Sequence, residues 1–138
     1  MDILVPVDDS EPARTALEHA VREHPDASIT AIHVVDPSAG MYGEGGVYAY
    51  DSLLESKKEQ AEELLEDVRE RAAEDGVDIE TDTVVGRPAR AVVDYAVEHD
   101  ADRIVIGSHG RSGASRVLLG SVAEQVVRRA PVPVTVAR

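Results

Sequence analysis

The sequence predicts an α/β fold: a single open, five-stranded parallel sheet with helices on both faces. Three observations lead there. Short apolar runs alternate with stretches whose apolar residues recur at helical spacing, giving β-α-β-α-β-α-β-α-β along the chain. Alternation of that kind specifies parallel strands joined by right-handed crossovers. The 138 residues suit one domain at roughly 150 residues each, with no repeat and no internal boundary, so residues 1–138 are read as one unit.

Each element has its own signal. Ile3, Leu4, Val5 and Val7 form the first strand, ended by Asp8-Asp9-Ser10. Ser10 is placed to cap a helix with Glu11 and Pro12 in its first turn and Ala13, Ala16, Leu17, Ala20 and Val21 as its apolar face, stopping before Pro25. Ile29, Ala31, Ile32, Val34 and Val35 make the second strand. Gly40, Gly43, Gly45 and Gly46, interspersed with Met41, Tyr42, Tyr48 and Tyr50, then read either as a lid or as a solvated connection. From Asp51 to Glu74 runs a long amphipathic helix with Leu54, Ala61, Leu65, Val68 and Ala72 on one face, ended by Gly76. Val77 to Val85 alternates as a strand with one wetter face. Gly86 and Pro88 introduce a helix carrying Ala89, Val92, Val93 and Ala96, and Ile104, Val105 and Ile106 are the fourth strand. A glycine-interrupted loop, a helix from Gly120 to Ala130 and a last strand with Val132, Val134 and Val136 complete the chain.

Composition narrows the function. With 43% hydrophobic residues the chain has enough apolar mass for a core. It has no cysteine, which excludes disulfides, thiolate metal sites and a cysteine nucleophile. There is no apolar run of about 18 residues and no signal-peptide pattern, so the expected location is the cytoplasm, away from membranes. The formal net charge is −13, Lys57 and Lys58 are the only lysines, and Phe and Trp are absent. Excess carboxylate with scarce lysine suits molar salt, where the screening length is about 3 Å. The same charge argues against nucleic acid as a partner. From residue 103 to the last, however, six arginines face the single acid Glu124, a local balance of +5 that suggests an anion site. Arg128 and Arg129, at a helix end, oppose a helix dipole instead.

In open parallel sheets a ligand sits outside the carboxyl ends of the strands where the winding reverses, which directs attention to the loops after strands one, two and four. After strand four the chain reads Gly107-Ser108-His109-Gly110, then Arg111 to Leu119, then Gly120-Ser121-Val122 opening a helix. Gly107 and Gly110 allow sharp turning and close approach of backbone to a ligand, and free N–H groups at the helix start suit phosphate. His109 and Arg111 are candidates to bond phosphate oxygens, or are simply solvated. Ser108-His109 is set aside as a nucleophile pair, because sequence neighbours rarely present side chains correctly and no third member is apparent. His33 lies in a strand and reads as a buried, satisfied histidine. His19, His24 and His99 lack metal-ligand spacing.

Gly107-x-x-Gly110, nine residues, then Gly120-Ser121 resembles the nucleotide-binding signature of the universal stress protein family. The resemblance extends to Val5-Pro6-Val7-Asp8, Ile32-His33-Val34-Val35, Gly86-Arg87-Pro88 and Pro131-Val132-Pro133-Val134. It implies a Rossmann-like sheet in the order 3-2-1-4-5, like that of adenine nucleotide alpha hydrolases, and membership of the branch that binds ATP, with Mg²⁺ or Mn²⁺. Carried over residue by residue, it places Asp8 at the ribose and metal region, the Val34 backbone at adenine, Gly107 beside the ribose, and Gly110, Gly120, Ser121 and Val122 around the phosphates. Turn formation is the other role open to Asp8, although Asp9 and Ser10 can supply it. The family resemblance also implies a homodimer through the last strand, whose Val132, Val134 and Val136 fit a sheet edge apolar on one face. A P-loop lysine, a GxGxxG turn after strand one and the His-x-Gly-His turn of nucleotidyl transferases are all missing. No water-orienting base presents itself, so hydrolysis should be slow. The expectation is a nucleotide-dependent stress-response regulator; the alternatives are a slow ATPase acting as a timed switch and a nucleotide-free dimeric interaction module.

Overall fold

The computed structural model describes residues 1–38, 46–109 and 119–138, with backbone alone for residues 46–50. Gly110, Arg111 and most of the glycine- and tyrosine-bearing stretch proposed as a lid lie outside the described residues. The elements are β1 (Asp2–Pro6), α1 (Glu11–Glu23), β2 (Ser28–Val35), α2 (Gly46–Glu74), β3 (Glu80–Val85), α3 (Pro88–Glu98), β4 (Arg103–Gly107), α4 (Ser121–Arg129) and β5 (Val134–Ala137). All neighbouring strands are parallel, in the order β3-β2-β1-β4-β5. The winding therefore reverses between β1 and β4.

The sheet separates two cores. On one face Ile3, Val5, Ile29, Ala31 and Val105 pack with Ala16, Leu17 and Ala20 of α1 and Leu65, Val68 and Ala72 of α2. On the other, Leu4, Ile32, Ile104 and Ile106 pack with Val92 and Ala96 of α3 and Ala123 and Val126 of α4. The central strands are apolar on both faces, as strands covered on both sides must be.

Helix ends follow the expected chemistry. Ser10 caps α1, its Oγ accepting from the Ala13 N–H at 3.3 Å. Gly76, at φ 76°, ends α2: its N–H donates to the Ala73 carbonyl at 2.9 Å and that of Val77 to the Ala72 carbonyl at 2.9 Å. That bond explains why β3 starts at Glu80 and not at Val77. Val77 is spent on the helix terminus, although Val77 and Ile79 still pack into the first core. Helix α2 begins at Gly46, five residues ahead of the expected Asp51; no proline in the stretch between them bars the helix. The same terminal motif closes α3 without glycine: Asp100 stands at φ 51° and the Ala101 N–H reaches the Ala96 carbonyl at 2.9 Å. Strand β5 starts at Val134, since at the preceding residue only the Pro133 carbonyl is engaged, by the Ile104 N–H at 3.0 Å.

Candidate functional site

The site is built at the carboxyl ends of β2, β1 and β4. Register pairs Pro6 with Ile32 and Leu4 with Ile104. Continued toward the carboxyl ends, it sets Asp8 level with Val34 and Gly107 level with Val7, so three residues singled out in the sequence meet at one edge.

Asp8 leaves β1 half-buried, and its Oδ1 accepts from the Ser10 N–H at 2.9 Å. The turn before α1 is thus closed by Asp8 itself, the other role left open to it in the sequence. Gly107 receives a different explanation. A Cβ there would stand 2.7 Å from both C and O of Pro12 and 2.9 Å from its Cβ. The close approach that demands glycine is that of the α1 backbone, and no ligand is needed to account for it. Val34 packs its side chain against the second core, which leaves its peptide groups as the part able to meet a base.

Beyond β4, Ser108 is buried and holds two backbone bonds. Its N–H donates to the Ala137 carbonyl at 2.8 Å and its carbonyl accepts from the Gly120 N–H at 2.7 Å. The second bond closes the intervening loop and seats the start of α4 beside the end of β4. It also occupies the Gly120 N–H, so the donors left for an anion are those further into the helix. No side chain caps α4 at Gly120, and its first intrahelical bond runs from the Glu124 N–H to the Gly120 carbonyl at 2.9 Å. The N–H groups of Ser121, Val122 and Ala123 therefore have no partner within the helix. Ser121 is exposed and Val122 half-buried. His109 places Nδ1 3.0 Å from Ser108 Oγ, and its Nε2 is buried without a hydrogen-bond partner among the described residues.

The surroundings carry further polar groups. Asp36, just past β2, takes both the N–H and the Oγ–H of Ser38 on Oδ1, at 2.9 and 2.6 Å. The Ser38 hydroxyl holds its carboxyl below the usual value; burial opposes this, and the Ser38 N–H, Lys57 and Arg87 add smaller help. A groove of about 80 Å³ between α1 and α2 opens beside Val7 and Asp8, floored by Leu17, Leu64 and Val68. Among the described residues no cluster of three His, Cys, Asp or Glu side chains is placed to hold a metal, and no helix is long and apolar enough to cross a membrane.

The family's sequence model, described as the universal stress protein family, matches residues 1–138. The chain belongs to the universal stress protein family. A universal stress protein of Methanocaldococcus jannaschii is 39% identical over 140 residues, covering 99% of this chain and 81% of that protein. The solved universal stress protein UspA of Lactobacillus plantarum superposes with a TM-score of 0.87 at 32% identity, covering 100% of this chain and 97% of that one. A universal stress protein family member of Arabidopsis thaliana solved with AMP bound shares the fold, with a TM-score of 0.72 at 20% identity over 99% of this chain and 90% of that one. In this family member Asp8, Val34 and Gly107, expected at the ligand from the sequence, are gathered by the fold at one sheet edge. His33, read from the sequence as a buried, satisfied histidine with no part in the site, is half-buried, and its Nδ1 lies 2.8 Å from the Val7 carbonyl beside Asp8. The one available signal was its place next to Val34 on the second strand.

The valines of β5 form the single apolar face expected of them. Val132, Val134 and Val136 pack against the second core of their own chain. What the edge offers is backbone. Because the Ser108 N–H bonds the Ala137 carbonyl and the Ile104 N–H bonds that of Pro133, odd-numbered residues face β4. The peptide groups of Val134 and Val136 point away from the sheet.

Proposed function

We propose that this chain, as one domain over residues 1–138, binds an adenine nucleotide at the edge formed by β2, β1, β4 and the start of α4. ATP is the nucleotide favoured by the glycine signature. The observation that carries the reading is the uncapped α4 terminus, held at the end of β4 by the Gly120–Ser108 bond. Three peptide donors and the positive end of the helix dipole converge there, a setting that suits a phosphate group. A phosphate oxygen would also satisfy His109 Nε2, whose burial without a partner is otherwise costly. Gly110 joins the phosphate group of residues on the strength of the family signature, and Arg111 on the ability of its guanidinium to pair with phosphate oxygens.

Mg²⁺ or Mn²⁺ fits this donor set. Mg²⁺ takes one or two carboxylates with phosphate oxygens and water, so a dedicated protein cage is unnecessary. Asp8 would hold it, and the ion would offset phosphate charge. Neither the described residues nor the sequence supplies a base for water, which favours a regulator with little or no turnover. The outward peptide groups of Val134 and Val136 support a homodimer paired through β5. The acidic surface supports a cytoplasmic protein adapted to high salt.

The nucleotide-free alternative draws on one observation, the packing of Pro12 on Gly107, which explains that glycine structurally. Calorimetry of ATP with Mg²⁺ at high salt, on the wild type and on a Gly110→Val, Gly120→Val double variant, separates the two. Binding by the wild type that is lost in the folded variant supports the nucleotide reading. Absence of binding by folded wild type leaves the interaction module.

A further inference from the structure

In a parallel pair the N–H and C=O of one residue turn toward the neighbouring strand and those of the next residue turn away. Two bonds fix the sense for β2. The Ser28 N–H donates to the Met1 carbonyl at 2.9 Å, and the Val7 N–H donates to the Ile32 carbonyl at 2.8 Å. Even-numbered residues of β2 therefore face β1. The next rung of that ladder would run from the Val34 N–H to the Val7 carbonyl. It is not made, and the β1–β2 register ends at Pro6 and Ile32. The Val7 carbonyl accepts instead from His33 Nδ1, at 2.8 Å. A carbonyl can only accept, so His33 carries its proton on Nδ1.

We propose that His33 is a positioning residue, whose imidazole replaces the last rung between β1 and β2 and keeps the Val34 peptide turned toward the crevice beside Asp8. The inference rests on the adenine-nucleotide reading and assigns part of its base recognition. One lone pair of the Val7 carbonyl is engaged by Nδ1. A further rung would add only a second bond at an oxygen that already has a partner, so the main chain gains less by zipping one residue further. The Val34 N–H and C=O then remain a donor and an acceptor at the level of Asp8. An adenine edge, with acceptor ring nitrogens and an amino donor, complements them. The arrangement holds whether His33 is neutral or protonated, because Nδ1 keeps its hydrogen in both forms.

The test uses the full chain, with His33→Leu removing the donor and His33→Asn keeping an N–H near the place of Nδ1. Amide hydrogen exchange without nucleotide should find Val34 faster than Thr30 and Ile32 in wild type and in His33→Asn. In His33→Leu the Val34 amide should slow as the rung forms, and ATP affinity should fall about tenfold, the worth of one hydrogen bond. The His33→Asn variant should bind within a factor of about two of wild type, well inside one such bond. A wild-type Val34 amide as slow as Ile32, with ATP binding intact, overturns the role of His33 alone. Absence of ATP binding with the exchange pattern intact overturns the nucleotide reading and with it the part assigned to His33. The wild-type exchange measurement stands even if the leucine variant fails to fold.

Discussion

Replacing Gly107 with alanine tests whether that glycine serves the fold or the ligand. The new Cβ would lie 2.7 Å from the carbonyl carbon and oxygen of Pro12, where ordinary contact begins at 3.4 Å. Relief needs a displacement of about 0.7 Å, the difference between those distances, at closely packed atoms that have little room to yield. The atoms in the way are main chain. Pro12 has a fixed φ and sits in the first turn of α1, so the helix start must move as a body. Overpacking of this kind costs about 1–3 kcal/mol, and rigid neighbours place Gly107→Ala near about 3 kcal/mol. For a chain of this length that is a fall of about 10 °C in Tm. Urea denaturation at fixed salt measures the first quantity and calorimetric melting the second. A loss below about 0.5 kcal/mol, the range of ordinary surface substitutions, would refute the packing argument. If stability held while ATP binding disappeared, the glycine would be serving the ligand.

Three further outcomes follow from particular residues. Asp100→Gly should raise stability by about 1 kcal/mol, read in urea, because Asp100 holds φ 51° at a helix terminus where glycine carries no Cβ penalty. Tyr95 donates to Asp82 Oδ2 at 3.0 Å. Burial, then that bond and the nearby Asp82 and Glu80 charges, push its phenol up to about 12 from 10.0. A raised phenol stabilises the fold fully below pH 10 and loses that contribution as pH rises through 12. Ultraviolet titration should find one late tyrosine that Tyr95→Phe removes, and an ordinary titration of all four tyrosines would contradict it. Lowering salt from about 1 M to 0.1 M lengthens the screening distance from about 3 to about 10 Å. Tm should fall accordingly, and a flat Tm would sink the halophilic reading.

Much of the architecture could be read from pattern alone. The alternation of period two and helical spacing specified the parallel sheet, and Ser10, Gly76 and Gly120 marked helix ends that the fold uses. These signals are local, carried by residues within a turn of one another. What the pattern left out is not local. Gly107 packs on the Pro12 backbone, a contact remote in sequence that stands beside the ligand role expected of that glycine. Val77 looked like strand because alternation cannot reveal that its N–H is claimed by Ala72. His33 was legible as a satisfied histidine, but its partner, the Val7 carbonyl, becomes visible only once β1 and β2 are in register. The valines of β5 were legible as one apolar face, but period two does not say which core that face joins.

The central claim is that an adenine nucleotide sits at the β2-β1-β4 edge with its phosphates at α4. Mapping backbone amide shifts on titration with ATP and Mg²⁺ at high salt tests it most directly. The account predicts the largest changes at Val34, Asp8, Ser121 and Val122. Changes confined to the groove between α1 and α2, at Leu17, Leu64 and Val68, would contradict it, as would a spectrum that ATP leaves unmoved.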